Sequence, residues 1–549
     1  MKLQLQSKLE SSQLGAHLLR HSSVWICTLL FALSFWLLSL RMYVPLEWGD
    51  EGYFANAALR ILDGEMIYRD FQHNYPPGRM YALAFLIKLF GHDLSVVRLF
   101  WVFCHSASVV VGYCVSRRLM PSPLALVVAL AILFNDVHQN KTVELLVSSL
   151  LLLTLFRVLE RRTSDLIAGV AMGALAYFRH DVAMMGFMLF YLQMFAQAYT
   201  SKGDAPYLAR LRNRGAEGSR FLLAFALTGL PFVFYLLFQD ALAQAFSDLT
   251  LAGFEANAAL SKPFPPLFDG WGLSAIWQGL RGDSVVFYTP PFVYAVMATV
   301  ALRSLRSGDR SLKTLEILVC AGFGILVFAQ VIPRTDMGHL SKAYIPAHIL
   351  TFALLYQIGA AGVSNFGRRR LGRAVLCAVL VVLVATLPIK LFLRHGEKYE
   401  ALPRVLATEL FGIGTPFLMV EFPHGRFKMR SRSVAARMRA TSARILETRD
   451  QGMDESMLVY PAGAIFNFLY GYKSPVAYDV LRPGELGGNA PEIIEEIERE
   501  IARVRPTVLI WVSEGTNREL ARSLNSWARD SGYQRRRAPR MDVWIRSDP

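Results

Sequence analysis

Metal-ligand spacings, disulfide pairs and internal repeats are absent from this sequence of 549 residues. Its 5 cysteines all lie inside apolar segments and none belongs to a CxxC pair, so they are expected to be small buried hydrophobic residues. The region after Arg394 contains no cysteine, which excludes a disulfide-stabilised domain there. The lack of a repeat argues against the paired halves on which many transporters are built.

Charged residues are scarce, at 18% of the chain, whereas 53% of the residues are hydrophobic and the mean hydropathy is +0.33. A soluble protein is about 45–50% apolar. The excess lies in runs of about 15–20 residues, the length that a helix needs to cross the hydrocarbon core of a bilayer. The sequence therefore predicts an integral membrane protein. Examples of these runs are residues 25–40, 145–156, 221–238, 317–332 and 375–391.

The net charge of +15 is concentrated in the short loops between the apolar runs. Lys and Arg in such loops mark the cytoplasmic side of a membrane protein, so no nucleic-acid partner is expected. The first apolar run follows a basic segment and has no cleavage site after it, which predicts a retained signal anchor. Residues 42–79 then form the first outer loop. We expect a bacterial inner membrane protein with its active site on the periplasmic side.

Three regions are predicted: a cytoplasmic segment at residues 1–22, a transmembrane domain at residues 23–393 and an extracytoplasmic soluble domain at residues 394–549. The fold is therefore mainly α, a polytopic transmembrane helix bundle of about eleven spans. Residues 80–90 are too short to span and are expected to form an interfacial helix, and residues 124–134 form the weakest predicted span.

The C-terminal region has the pattern of a small α/β domain. Residues 457–460 and 507–512 are short apolar runs that resemble strands, whereas residues 435–447 and 491–503 have helical periodicity. No catalytic motif is found in this region.

The first outer loop begins with an acidic pair, Asp50 and Glu51, directly after the first predicted span. Residues 53–62 have an amphipathic pattern that suits a helix on the membrane surface, and Asp63-Gly64 predicts its end. An Asp just before a helix is a common N-cap, so Asp50 has a structural interpretation that is compatible with a catalytic one. Further along the loop, Pro76-Pro77-Gly78 predicts a stiff turn into the next helix.

This arrangement resembles the GT-C superfamily of membrane glycosyltransferases, which includes protein O-mannosyltransferases and the aminoarabinose transferase that modifies lipid A. The layout is similar over residues 20–390, and the specific motifs lie in residues 47–78, with weaker similarity at Arg179 and residues 334–339. The resemblance implies that Asp50 is the base that acts on the acceptor. The sequence departs from the mannosyltransferase pattern at His73-Asn74-Tyr75, where a Glu-Lys pair usually precedes the prolines, and this leaves the acceptor class open.

The residues of the outer face suit this chemistry. A positioned carboxylate takes the proton of an attacking hydroxyl, and one direct displacement inverts the anomeric centre. Asp50 and Glu51 are the candidate catalytic residues, and the departing lipid phosphate needs cationic partners. The candidates for binding the donor phosphate are Arg334, Arg179, His339, Lys342 and Arg69. The candidates for binding substrate are His73, Asn74, Tyr75, Asp136 and Asp336.

Several of the cations also have structural interpretations. Lys342 and Arg179 are placed where long basic side chains commonly extend to the lipid headgroups. Arg334 and Asp336 have the spacing of a structural ion pair at the entry to a helix.

No cofactor is expected from the sequence. Asp50, Glu51, His73 and Asp136 are close enough along the outer loops to converge on a divalent metal, but no spacing among them is diagnostic. A metal site is therefore an alternative rather than a prediction.

The sequence predicts an inverting glycosyltransferase that moves a sugar from a polyprenyl-phosphate-linked donor to a hydroxyl of a glycan, lipid or protein. The main alternative is a transporter or flippase of a lipid-linked or anionic substrate. The acidic motif lies in an outer loop rather than at the middle of the membrane, which favours an enzyme. A membrane scaffold with an exported recognition domain would leave the acidic loop without a role.

Overall fold

A computed structural model gives the fold of most of the chain. It describes residues 22–46, 49–135, 137–138, 141–201, 206–251, 261–267, 284–364, 402–413, 418–429, 431–460, 463–479, 501–512, 525–538 and 541–547, with the single residues 274, 495 and 499. The described part is mainly helical and ends in small β-sheets. This confirms the predicted class, a membrane-type helix bundle followed by an α/β region.

The helices that precede the C-terminal region differ widely in length. In chain order they are α1 (Ser22–Ser39), α2 (Asp50–Leu62), α3 (Gly78–Phe90), α4 (Leu94–Leu119), α5 (Ser122–Leu133), α6 (Thr142–Leu159), α7 (Asp165–Ala176), α8 (His180–Thr200), α9 (Tyr207–Asn213), α10 (Gly215–Phe238), α11 (Leu242–Phe246), α12 (Val285–Arg306), α13 (Leu312–Ala329), α14 (Met337–Leu340) and α15 (Tyr344–Ser364).

Within the described residues, 6 helices are long and apolar enough to cross a membrane: α4, α6, α8, α9 with α10, α12 and α13. Shorter apolar helices lie at residues 23–39, 122–133, 165–176 and 344–359. The predicted run at residues 375–391 lies outside the described residues. The total of about eleven spans therefore stays a prediction.

Small residues and side-chain caps explain how the bundle packs. Gly169 and Gly173 lie on α7 where it meets α10, and a Cβ at Gly169 would lie 2.4 Å from the carbonyl oxygen of Phe221. Such small residues let helix backbones approach closely in a membrane. Asp93 caps α4 by accepting a hydrogen bond from the Ser95 amide at 2.7 Å.

The turn into α3 is fixed by a contact with the connection between α7 and α8. The Gly78 amide donates a hydrogen bond to the Tyr177 carbonyl at 2.8 Å. A Cβ at Gly78 would lie 2.6 Å from the same oxygen, so a larger residue would push the two segments apart. The sequence Pro76-Pro77-Gly78 therefore holds the end of the first loop against the start of α8.

The C-terminal region contains α16 (Leu402–Phe411), β1 (Leu418–Phe422), β2 (Gly425–Met429), α17 (Arg432–Asp450), β3 (Met457–Tyr460), α18 (Ile465–Tyr470), β4 (Val508–Val512), β5 (Tyr533–Ala538) and β6 (Met541–Arg546). β1 and β2 form an antiparallel hairpin, and the second sheet has the order β3-β4-β6-β5. β3 and β4 are parallel, and the other neighbours in this sheet are antiparallel.

The predicted elements of this region are confirmed where the structure describes them. The two apolar runs are β3 and β4, and every residue of each strand is buried. The predicted helix at residues 435–447 lies within α17. Most of the predicted helix at residues 491–503 lies outside the described residues, as does the predicted domain boundary after residue 393. The β1–β2 hairpin was not predicted.

Candidate active site

Asp50 is the first residue of α2, and its side chain is 48% exposed. Gly49 occupies the N-cap position, and no side chain caps this end of the helix. The prediction that Asp50 is the N-cap is therefore wrong, because the N-cap position lies one residue earlier, at Gly49. A carboxylate in the first turn still interacts favourably with the positive end of the helix dipole. Asp63 ends the helix, and Gly64 has a φ of 94°, as the sequence predicted.

Glu51 lies in a different environment from its neighbour, because its side chain is only 3% exposed. Its two carboxylate oxygens accept hydrogen bonds from Nε and Nη2 of Arg98 at 2.6 and 2.8 Å. Arg98 also donates to the carbonyl oxygens of Met42 and Val44. This buried pair joins α2, α4 and the start of the first loop, so the geometry gives Glu51 a structural role.

Lys141, which the sequence did not single out, contacts Asp50. Its buried ammonium lies 3.9 Å from Oδ2 of Asp50 and 3.5 Å from Oε1 of Glu144. It also donates to the Tyr75 hydroxyl at 3.3 Å. Burial alone would lower the pKa of Lys141, but the negative charge around it outweighs burial and raises that pKa. The ammonium therefore stays charged beside Asp50.

Arg179 is buried and forms ion pairs with Glu144 and Asp181. Asp181 also accepts a hydrogen bond from the Gln330 side-chain amide at 2.9 Å, which links α8 to the end of α13. The headgroup interpretation of Arg179 is therefore wrong, because its guanidinium points into the protein. Lys141, Glu144, Arg179 and Asp181 together form a connected set of charges that we call the inner network.

The side chains of the first loop pack around α2. The His73 ring stacks on Tyr53 with a centroid distance of 4.1 Å and is fully buried. Burial lowers the pKa of His73 to about 3, and the positive charge of Arg79 acts in the same direction. His73 is therefore neutral at physiological pH. The backbone amide of Asn74 donates a hydrogen bond to the Tyr53 hydroxyl at 2.9 Å.

Arg79 is a second basic residue that the sequence did not single out. It is fully buried, and its guanidinium lies 4.2 Å from the ring centroid of Phe54 and 5.5 Å from that of Tyr75. Within the described part of the chain, none of its three guanidinium nitrogens has a hydrogen-bond partner. The only feature of the sequence that could have singled out Arg79 is its position as a basic residue in the first turn of a short apolar helix.

Residues 334–339, which we call the Arg334 segment, form a second cationic region. Nε of Arg334 lies 3.7 Å from Oδ2 of Asp336, and both side chains are partly exposed, at 29% and 27%. Asp336 caps α14 and accepts hydrogen bonds from the amide and from Nδ1 of His339. Burial would raise the pKa of Asp336, but the contacts with His339 outweigh it and hold that pKa below its usual range.

The turn before α6 lies between the two cationic regions. The Lys141 amide donates to the His138 carbonyl at 2.8 Å, and a Cβ at Gly338 would lie 3.5 Å from the His138 ring. The turn therefore contacts the Arg334 segment through His138 and Asp50 through Lys141. Asp136 lies outside the described residues, and so does the side chain of Lys342.

Arg69 lies apart from this cluster of contacts. It pairs with Asp70 at 2.8 Å and donates to the Gln239 side chain at 3.1 Å, with 43% of its side chain exposed.

Among the described residues, no three His, Cys, Asp or Glu side chains form a group that could hold a metal ion. Of the four residues considered for a metal, Glu51 is bound to Arg98 and His73 is buried against Tyr53.

Part of the chain matches a known family model, but Asp50 and the Arg334 segment lie outside the matched range. Residues 74–211, which include Tyr75, Lys141 and Arg179, match the family model of dolichyl-phosphate-mannose-protein mannosyltransferases. No curated protein sequence matches the chain.

Two solved structures share the fold. One is ArnT from Cupriavidus metallidurans bound to undecaprenyl phosphate, with a TM-score of 0.52 and 13% identity over 95% of this chain and 98% of that one. The other is the apo oligosaccharyltransferase of Archaeoglobus fulgidus, with a TM-score of 0.51 and 10% identity over 89% of this chain and 69% of that one.

The chain shares the fold of these two structures, which agrees with the GT-C-like architecture expected from the sequence. Together with the family match, this shared fold classes the chain as a membrane glycosyltransferase of the GT-C type. Within this class, residues 74–211 match the mannosyltransferase family model. Neither comparison supports the transporter and scaffold alternatives.

Proposed function

We propose that this protein transfers a sugar from a polyprenyl-phosphate-linked donor to a hydroxyl of a glycan, lipid or protein acceptor, with inversion at the anomeric carbon. The observation that carries the proposal is the environment of Asp50, which is half-exposed at the start of α2 with the charged Lys141 ammonium 3.9 Å away. ArnT, which shares the fold, has been crystallised with undecaprenyl phosphate. This supports a lipid phosphate as the leaving group.

The chemistry is a single displacement in which Asp50 is the base. The acceptor oxygen forms a bond to the anomeric carbon, the bond from that carbon to the phosphate oxygen breaks, and the hydroxyl proton passes to Asp50. The electron pair of the broken bond leaves with the polyprenyl phosphate. Glu51 is held by Arg98 and is not needed, because an inverting transfer requires no nucleophilic carboxylate.

The leaving phosphate gains negative charge and needs a cation within reach. Arg334 suits this role, because its side chain is partly exposed and its ion pair with Asp336 is long, at 3.7 Å. His339 lies on the same segment, and Lys342 and Arg69 remain further candidates. Arg179 is already paired with two carboxylates, so we assign it to positioning. His73, Asn74, Tyr75, Asp136 and Asp336 remain candidates for contact with the substrates.

The site is proposed to face outward, because the basic loops mark the opposite side as cytoplasmic. The C-terminal region then lies outside as well. A cysteine introduced at the exposed residue Ser433 should react with an impermeant thiol reagent in spheroplasts. Labelling that occurs only after lysis would contradict this orientation.

The decisive experiment is Asp50→Asn. Asn has the same size but cannot take a proton near neutral pH, so transfer should fall by at least about 10²-fold. Stability should change by less than about 1 kcal/mol, because Asp50 is half-exposed and Lys141 keeps its contact with Glu144. Transfer is measured in membranes supplied with radiolabelled undecaprenyl-phosphate mannose or aminoarabinose, and a melting curve is recorded on the purified protein.

Two variants of the same helix serve as controls. Asp63→Asn removes an exposed carboxylate at the other end of α2 and should leave transfer and melting unchanged. Glu51→Gln should mainly lower the melting temperature, because it leaves the buried Arg98 without its charged partner. Wild-type transfer by Asp50→Asn would remove Asp50 from the mechanism.

A further inference from the structure

One face of α2 lies against the C-terminal region. Gly52, Asn56 and Arg60 are four residues apart, so they lie in a row along the helix. All three are buried. Each of them contacts residues 465–479, which are more than 400 positions later in the chain.

Gly52 brings the two regions into direct backbone contact. A Cβ at this position would lie 2.1 Å from the amide nitrogen and 2.7 Å from the Cα of Ile465, at the start of α18. Backbone atoms cannot rotate out of the way as a flexible side chain can, so only glycine fits here. Gly52 is two residues from Asp50 and is closer to it in sequence than Asn56 and Arg60 are.

Asp479 forms the polar part of the same contact. Its Oδ1 atom accepts hydrogen bonds from Nδ2 of Asn56 at 3.0 Å and from Nη1 of Arg60 at 3.1 Å. The Asp479 side chain is only 1% exposed, and Arg60 also donates to the carbonyl of Val476. Buried charges of this kind are weak evidence for stability, but their directional bonds fix one relative placement of the two parts.

The same stretch also holds the first loop. The Gln72 amide donates to the carbonyl of Ala477 at 2.9 Å, next to His73 and Asn74. Tyr53, one residue after Gly52, stacks on His73 and accepts the hydrogen bond from Asn74. Residues 465–479 therefore contact both α2 and the loop that packs around it.

We propose that the C-terminal region positions the catalytic helix, and that Asp479 and Gly52 are positioning residues that set where Asp50 lies relative to Lys141. This inference rests on the proposed role of Asp50 as the base. Because α2 is one continuous helix of 13 residues, a shift of its docked face moves Asp50 with it. A displacement of about 1 Å at a reacting group can lower a rate by about 10²-fold.

The first test is a steric one. Gly52→Ala should push α2 away from Ile465 and lower kcat by at least about tenfold, while KM for the lipid donor changes less than about threefold. Gly229→Ala is the matched control, because a Cβ added at this helical glycine would have nothing within 4 Å. It should keep wild-type kcat.

The second test keeps the proposal testable if Gly52→Ala does not fold. Asn56→Asp alone places two carboxylates in contact. Asp479→Asn alone removes the carboxylate of the C-terminal region that Arg60 binds and leaves Arg60 paired with Glu65. Each variant should therefore lower kcat. The double variant Asn56→Asp with Asp479→Asn restores one amide, one carboxylate and the pairing of Arg60. It should recover most of the wild-type kcat.

Both tests use the full-length enzyme and the same radiolabelled donor as the Asp50→Asn assay. The proposal is supported by a loss of kcat at nearly constant KM in the single variants, followed by recovery in the double variant. It is overturned if the folded single variants keep wild-type kcat while Asp50→Asn is inactive. If Asp50→Asn is fully active, the proposed function fails instead, so the two failures can be told apart.

Discussion

The inner network and the Arg334 segment are both rich in basic residues, but they differ in how those residues are paired. Lys141 and Arg179 are buried, and each lies close to two carboxylates. Arg334 is partly exposed, and its carboxylate partner lies 3.7 Å away and is itself bonded to His339. The inner charges are held within the protein, whereas Arg334 can turn toward a ligand with little rearrangement.

This difference shows why a basic residue near an active site is not by itself a binding residue. A buried cation must have its charge balanced by the protein, so breaking its pair is costly even without a ligand. An exposed pair contributes little to stability, so its cation is free to exchange partners. A substitution in the inner network should therefore lower stability most, whereas a substitution of Arg334 should weaken donor binding with little effect on stability.

The largest expected effect is that of Arg179→Ala on stability. Removal of one partner from a buried pair costs about 3–5 kcal/mol. In this variant Asp181 loses its pair with Arg179, and Glu144 loses the same cation but keeps Lys141. We expect a clear fall in the melting temperature and a loss of transfer together. A melting temperature equal to that of the wild type would contradict the assignment of Arg179 to the inner network.

Arg334→Ala removes the same type of side chain as Arg179→Ala but should have the opposite balance of effects on stability and donor binding. Its melting temperature should change little, because exposed pairs are worth less than about 1 kcal/mol. KM for the lipid donor should rise by roughly tenfold or more, as expected for the loss of a hydrogen bond to a charged group. Arg334→Lys should recover only part of this, since a point charge does not replace a planar fork. An unchanged KM would exclude Arg334 from the donor site.

A smaller effect is expected from His73 in acid. The folded protein keeps His73 neutral because burial lowers its pKa to about 3, whereas the unfolded chain binds a proton below its ordinary value near 6.5. The unfolded state therefore binds more protons as the pH falls, and the folded state loses stability between pH 6.5 and pH 3. At pH 5 the loss is about 2 kcal/mol. His73→Gln should remove this loss, so its melting temperature should fall less than that of the wild type between pH 7 and pH 5.

The contrast between the two regions also explains which parts of the site could be predicted from the sequence. Asp50 can be singled out in the sequence because its signal is local: an acidic pair follows an apolar run and opens an amphipathic helix. The contact between Lys141 and Asp50 joins residues that are far apart in sequence, and no periodicity encodes it. For Arg179 the sequence offers the donor phosphate and the lipid headgroups as alternatives, because its loop position is visible but its pairing with Glu144 at the start of α6 is not.

In the C-terminal region, too, local elements can be predicted from the sequence, whereas contacts between distant parts of the chain cannot. β3 and β4 are apolar runs, and such runs are visible in a single sequence. The β1–β2 hairpin alternates hydrophobic and polar residues around His424-Gly425, a signal from which the hairpin could have been predicted. The docking of Asp479 against Asn56 and Arg60 could not be predicted, because it depends on how two distant parts of the chain meet.

The bond between the Gly78 amide and the Tyr177 carbonyl has a consequence for protein engineering. It joins the end of the first loop to the turn that carries Arg179, and no side chain larger than hydrogen fits between them. A chimera that receives only the first loop of a related enzyme would bring a loop shaped for a different turn. The two segments should therefore be exchanged together, as one cassette, when the first loop is moved from one enzyme to another.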